Sequence, residues 1–337
     1  SWGYETEPEP ELNNRPIIWP RGKTLGGSSA INGLIYIRGQ HADYDHWRQL
    51  GNVGWGFEDV LPYFRKAEDN ERGSDDFHGK GGPLKVSDIK DDREICEAFI
   101  EAAVAEGLPR TDDFNGAQQE GVGNFQTTSR NGLRCSSAVG YLNPVKFRQN
   151  LKIETEALAT SLIIEEGRAT GIRYTKAGTP TEARCAGEIV LCGGAINSPQ
   201  LLQLSGIGPG EVLQEAGVEV THELPGVGRD LQDHLQIRSL YRLNKPISVN
   251  DDVNNLFRRA MIVVQYALSR RGPLTFAAGY AGAFAKVLPE SATPDIQFHF
   301  IPFSADKPGE GLHKWSGVTS SVCQLRPESR GEITIRS

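Results

Sequence analysis

Residues 21–45, RGKTLGGSSAINGLIYIRGQHADYD, constrain this chain more than any other stretch. Gly26, Gly27, Ser28 and Ser29 place almost no side-chain bulk on four successive positions, so a ligand can approach the backbone closely. Glycine accepts positive φ and has no Cβ, and a Gly-Gly-Ser-Ser turn can aim several N–H groups and two hydroxyls at one anion, such as a phosphate or pyrophosphate. The same residues equally describe a tight turn without a ligand, because a short glycine motif alone does not separate the two. A small apolar run from Ala30 to Tyr36 follows, closed by Arg38, Gly39, Gln40 and His41.

With 337 residues the chain can bury a large core and has room for about two domains of ordinary size. Its net charge of −7 argues against a nucleic-acid surface, which carries a basic excess. No apolar run reaches the roughly 18 residues of a membrane helix. The nearest, Ala260–Leu268, is short and contains Gln265, and no N-terminal signal pattern is present. Cys96, Cys135, Cys185, Cys192 and Cys323 are odd in number and lack the close pairing of a zinc site. These features predict a cytoplasmic protein with free thiols and no metal.

Hydrophobic spacing predicts short helices at 46–50 and 57–67, and an amphipathic helix over 91–106 ended by Gly107. The Gly/Asp/Ser/Lys-rich stretch 70–83 reads as a surface loop, and 110–134 as loop with a short strand at 124–128. Residues 136–142 can start a helix stopped by Pro144. Strands are expected at 151–153, 161–165, 171–175 and 188–191, with turns at Gly167-Arg168 and Ala177-Gly178. Further on, 237–243 is strand-like, 253–270 is helical until Gly272-Pro273, and 331–335 starts another strand.

Three places keep two readings each. The strand 188–191 runs into Gly193-Gly194 and a helix capped by Asn197 or Ser198 with Pro199 in its first turn. That is a cofactor contact, or close strand–helix packing. Asp233 and His234 suggest a metal, but adjacent residues rarely point at one ion and structural hydrogen bonding is the favoured reading. At 295–301, Ile296, Phe298 and Phe300 form an apolar face that belongs against a core. The opposite side, with Gln297 and His299, lines a substrate pocket or is a partly exposed sheet face.

The string from Gly22 to Asp45, with its glycine pair, two serines, Ile31, Asn32, Tyr36 and Gly39, resembles the first signature of the glucose-methanol-choline (GMC) family of flavin-dependent oxidoreductases. The likeness continues through Trp55–Asp69, GLRCSSAVGYLNP (Gly132–Pro144), the second family signature GGAINSPQLLQLSGIG (Gly193–Gly208) and LPGVGRDLQDH (Leu224–His234). It implies a mixed α/β (α+β) fold. An incomplete FAD-binding domain would come from 1–45 and 150–225. A substrate-binding domain with connecting segments would come from 46–149 and 226–337, its mainly antiparallel sheet backed by helices.

The resemblance also implies FAD as cofactor, with Gly26, Gly27 and Ser28 approaching the pyrophosphate. Asn32, Gly33, Leu34 and Ile35 would run along the flavin, and the backbone of Ala159 would lie near the adenine. Some relatives attach flavin through a His just before the signature Asn; Ile31 stands there, which implies non-covalent binding. The family oxidises small-molecule alcohols, a His base taking the hydroxyl proton while hydride passes to the flavin. That His lies beyond the last residue of this chain, and none of the seven His matches it, so no catalytic residue is assigned.

No GxGxxG unit with a later acidic residue occurs in the sequence either. The expectation is therefore an internal fragment of a choline dehydrogenase-like alcohol dehydrogenase or oxidase, inactive by itself and with FAD binding open. Two alternatives stand beside it: a hydroxynitrile-lyase-type member of the family, and an isolated, inactive substrate domain.

Overall fold

The alternation at 295–301 builds the middle of a five-stranded antiparallel sheet. Its strands run in the spatial order Gln236–Arg242, Gly317–Gln324, Ile296–Ile301, Ala281–Ala285 and Gly121–Asn124. Phe298 stands opposite Val322 and Ala283, and Phe300 opposite Ser320 and Ala281. On this face Phe298, Phe300, Val122 and Val318 meet Cys96 and Ile100 of the helix Glu94–Ala105 in the main core. Phe99 of that helix stacks on Phe300 at 4.6 Å between ring centroids. The expected apolar face thus packs against a helix.

The computed structural model describes residues 1–275, 278–307 and 310–336, and its contacts divide the chain into two units. The first is Ser1–Leu151 with Leu235–Leu325, and the second is Lys152–His234 with Arg326–Ser337. Residues 1–45 therefore lie in the first unit and 152–225 in the second. Both units mix helices with sheets.

Around the large sheet, the first unit adds a smaller one of Ile35–Tyr36, Gln126–Thr127, Leu84–Asp88 and Glu68–Asn70. The helix Phe57–Ala67 has the predicted limits. Asp59 accepts from the Gly56 N–H at its start, and Asp45 accepts from the Phe57 N–H. The helix predicted at 46–50 begins earlier, as His41–Gln49, because Asp43 accepts from the Gln40 N–H and caps it there. Residues 138–142 make one wide turn in which the Asn143 N–H reaches back to the Ala138 carbonyl. The long helix predicted over 253–270 is two helices, Val249–Asn254 and Leu256–Ser269. They are separated by Asn255, whose side chain caps the second by accepting from the Arg258 N–H.

The second unit contains the meander Ala157–Glu165, Arg168–Lys176 and Thr179–Arg184. Both of its hairpins use two residues at positive φ, Glu166-Gly167 and Ala177-Gly178, a pairing that matches the twist of antiparallel strands. Expected strands at 151–153, 188–191 and 331–335 do not form. Among the described residues, 188–191 has no ladder partner. Residues 331–335 spend their N–H groups elsewhere: Gly331 on Leu231, Ile333 on the Gly228 carbonyl and Ile335 on the Gln203 side chain. A strand needs a neighbour for its backbone groups, and 331–335 has found other partners.

Candidate functional site

The Gly-Gly-Ser-Ser turn is a short 3₁₀ segment, Gly27–Ala30, entered through Gly26 at φ 87° and Gly27 at φ 53°. Its back is closed. A Cβ on Gly22 would stand 2.1 Å from the Gly27 carbonyl oxygen, and one on Gly26 would meet Ala138 N at 3.1 Å and Ser136 Oγ at 3.2 Å. Ser29 Oγ donates to the Gly26 carbonyl at 2.6 Å and accepts from the Ser137 N–H at 2.9 Å, so that hydroxyl holds the turn together. Its front is open: a Cβ on Gly27 would meet nothing within 4 Å, and Ser28 is exposed.

Arg134 clamps the stretch that follows. Its guanidinium donates to the Ser29 carbonyl at 3.1 Å, the Asn32 Oδ1 at 2.6 Å and the Asn32 carbonyl at 2.8 Å. Gly33 packs so closely on Ala278 that an added Cβ would lie 2.3 Å from the Ala278 Cβ. Leu34, buried, adopts φ 67°, a left-handed conformation that a side chain rarely accepts. Three hydrogen bonds hold it there: its N–H to Asn32 Oδ1, and its carbonyl accepting from the Thr128 N–H and hydroxyl. Strain of this kind persists only where the surroundings over-determine it, and it concentrates at ligand-binding segments. Ile35 then enters the small sheet opposite Thr127.

The face of the large sheet opposite the main core brings several expected residues together. Gln297 lies opposite Phe284 and Cys323, and His299 opposite Gly282 and Ser321. Phe114, Phe125 and Phe284 form a cluster there, with Ile35 and Ile37 packed against it. The His299 ring is 5.7 Å from that of Phe125, between centroids. Gln297 is 7% exposed. The structure thus gathers Ile35, Gln297 and His299 around one aromatic cluster. Ala159 is in the second unit, opposite Tyr174 and beside an irregularity in register between Ala159 and Ser161. The helix after the second glycine pair is Gly194–Leu204, so Asn197, Ser198 and Pro199 lie within it and do not cap it.

A buried charged network behind the signature is absent from the sequence reading. Arg38 donates to Glu68 Oε2 at 2.9 Å and to the Phe77 carbonyl at 2.8 Å. The His78 ring sits between two carboxylates, 3.0 Å from Glu68 Oε1 and 3.0 Å from Asp113 Oδ2. Burial pulls the His78 ring down, but the carboxylates on its two nitrogens outweigh it and raise its pKa to about 9. Burial pushes Glu68 and Asp113 up, and the cations and N–H groups around them outweigh it, so both stay below the usual carboxylate range.

Asn115 ties this network to the signature, accepting from the Arg38 N–H at 2.8 Å and donating to the Tyr36 carbonyl at 3.1 Å. The stretch 70–83 is therefore not wholly a surface loop: Asn70, His78, Gly79 and Gly82 are buried. Its glycines serve close packing, since a Cβ on Gly79 would stand 1.7 Å from the Arg65 carbonyl oxygen.

Among the described residues no three His, Cys, Asp or Glu side chains gather as a metal site, and no helix is long and apolar enough to cross a membrane. The family model described as GMC oxidoreductase matches residues 9–236. The chain is 43% identical over 340 residues to the oxygen-dependent choline dehydrogenase of Pectobacterium carotovorum subsp. carotovorum, covering all of this chain and 61% of that protein. It is 40% identical over 340 residues to the alcohol dehydrogenase (acceptor) of Pseudomonas putida, covering all of this chain and 62% of that protein. A solved FAD-dependent oxidoreductase from Chaetomium thermophilum matches with a TM-score of 0.88 at 25% identity, over all of this chain and 67% of that one. The chain thus spans less than two thirds of the length of either relative.

Proposed function

Because this chain belongs to the GMC oxidoreductase family, we propose that it supplies flavin- and substrate-facing parts of an FAD-dependent enzyme that oxidises an alcohol to an aldehyde or ketone. The observation that carries this reading is the turn at 26–29, closed behind by Gly22, Gly26 and Ser29 and open in front at Gly27. Such a cradle fits an anionic cofactor group: N–H groups of a tight turn can face it, and no side chain intervenes at Gly27.

Gly26, Gly27 and Ser28 would hold the FAD pyrophosphate, and Asn32, Gly33, Leu34 and Ile35 would border the flavin. For Ala159, in the second unit, adenine contact is a separate proposal. Ile31 at the position before Asn32 supports non-covalent binding, since it offers no nucleophile. The bound flavin would accept hydride from the alcohol carbon. This chain's own residues would do the positioning: Arg134 fixes Asn32, Thr128 fixes Leu34, and Gln297, opposite Phe284, and His299, beside Phe125, would orient a hydroxyl.

The grouping of 1–45 and 150–225 as one discontinuous FAD-binding domain, with the rest as substrate domain, goes with this reading. So do a cytoplasmic location, which the five free cysteines support, and activity in a chain of the relatives' length.

The test is flavin content after gel filtration of a chain of that length. Gly27→Val should lose at least about tenfold in FAD affinity, because a branched side chain fills the open front and resists positive φ. The same protein should reduce a dye acceptor with choline or primary alcohols. Full flavin retention by Gly27→Val would remove the assignment of the turn. Cyanohydrin cleavage with no alcohol-dependent flavin reduction would favour the lyase alternative.

A further inference from the structure

The helix Leu256–Ser269 turns most of its apolar side chains outward. Of its 14 residues only Ile262 is buried, with Tyr266 half-buried. Phe257, Met261, Val264 and Leu268 follow i, i+4, i+7 and i+11 spacing and so form one line along the helix. They are 74%, 50%, 47% and 83% exposed. Leu256 and Val263, also exposed, widen this stripe. An apolar surface of this extent on a helix marks a binding face rather than scattered exposure.

Charge identifies the occupant. Residues 253–271 carry Arg258, Arg259, Arg270 and Arg271 and no Asp or Glu, in a chain whose net charge is −7. Two of the four make local contacts: Arg258 lies 3.6 Å from Asp252, and Arg270 stacks over Tyr266. A second copy docking on this face would bring the same arginines against each other, because a two-fold interface joins identical patches. The helix is too short to span a bilayer. An apolar stripe flanked by arginines, on a helix of this length, suits a helix lying in the plane of a lipid surface.

We propose that Leu256–Ser269 docks this protein on the surface of an anionic phospholipid bilayer. Phe257, Met261, Val264 and Leu268 enter the acyl boundary, while Arg259 and Arg271 reach the headgroup phosphates. This inference does not depend on the flavin assignment.

The experiment is co-sedimentation of the 337-residue chain, and of a chain of the relatives' length, with vesicles of phosphatidylcholine alone or mixed with phosphatidylglycerol. Binding by both chains should rise with the phosphatidylglycerol share and fall with added salt, as the arginines are screened. Met261→Glu/Leu268→Glu should weaken it by about tenfold or more, and Arg259→Gln/Arg271→Gln by several-fold. All four positions are exposed, so both variants should keep the parent's circular dichroism and melting temperature.

Equal binding to neutral vesicles, or unchanged binding by the variants, would overturn the proposal. So would a dimer dissociated by Met261→Glu, which would make the face an interface between copies. Binding by the 337-residue chain alone would assign the face to a segment of a longer chain and overturn it as well.

Discussion

At the residue scale, contacts that a single Cβ would break distinguish the signature glycines that serve packing from Gly27, which leaves a surface open. At Gly282 a Cβ would stand 2.0 Å from Phe125 Cζ, inside the cluster that carries Ile35. Gly282→Ala should cost about 1–3 kcal/mol through overpacking, read as a lower urea midpoint at unchanged slope. Arg134→Ala removes three hydrogen bonds to Ser29 and Asn32. It should destabilise by about 2 kcal/mol and, in the flavin-loaded protein, lower FAD affinity as well. A variant as stable as the parent would show that the clamp contributes nothing. Glycine at 22, 26, 27 and 33 was visible in the sequence; that only Gly27 of these has nothing within 4 Å of an added Cβ was not, because the obstructing groups of Gly26 and Gly33 come from residues 136–138 and 278.

At the scale of elements, the charged network joins the signature strand to the loop after Phe57–Ala67. Glu68 is fully buried between Arg38 and His78. Glu68→Ala would leave both cations buried without their shared carboxylate and should cost about 3–5 kcal/mol. The pH dependence has a definite sign. His78 has a pKa raised to about 9, so its contribution is complete below the ordinary histidine value and is lost as pH rises through 9. His78→Gln should flatten this alkaline limb of the stability profile, and an unchanged limb would sink the assignment.

Asp69 behaves in the opposite sense. Hydrogen bonds from Lys85 and the Gly81 N–H hold it at about 2, so its contribution is present above the ordinary carboxylate value and is lost as pH falls toward 2. Helix Phe57–Ala67 was legible because its apolar positions repeat at helical spacing. The strand Thr179–Arg184, TPTEAR, was not: its largely exposed side chains give no alternation, and only pairing with Arg168–Lys176 makes it a strand.

For the molecule as a whole, burial orders the reactivity of the thiols. Cys192 is exposed and Cys185 half-buried, while Cys96, Cys135 and Cys323 are buried. Burial pushes the Cys96 thiol up to about 12. A thiol reagent at neutral pH should modify Cys192 first in the native chain and reach Cys96, Cys135 and Cys323 only after denaturation; fast reaction of all five would contradict the described packing. The visible spectrum tests the cofactor at the same scale. After mixing with FAD and gel filtration, the 337-residue chain should be colourless if its activity belongs to a chain of the relatives' length. A retained flavin band would show that this chain holds the cofactor by itself.

The sequence by itself determined the family, through motifs whose residue types answer to backbone chemistry: glycines where backbone must come close, and alternating apolar residues where a sheet meets a core. Those requirements are local and can be read one stretch at a time. Tertiary structure alone decided that Arg134 fixes Asn32, that His78 stands between Glu68 and Asp113, and that Ile35, Gln297 and His299 come to the cluster of Phe114, Phe125 and Phe284. Each of these joins side chains separated by many residues. Only a folded backbone brings them within hydrogen-bonding or packing distance, where burial makes their pairing strong.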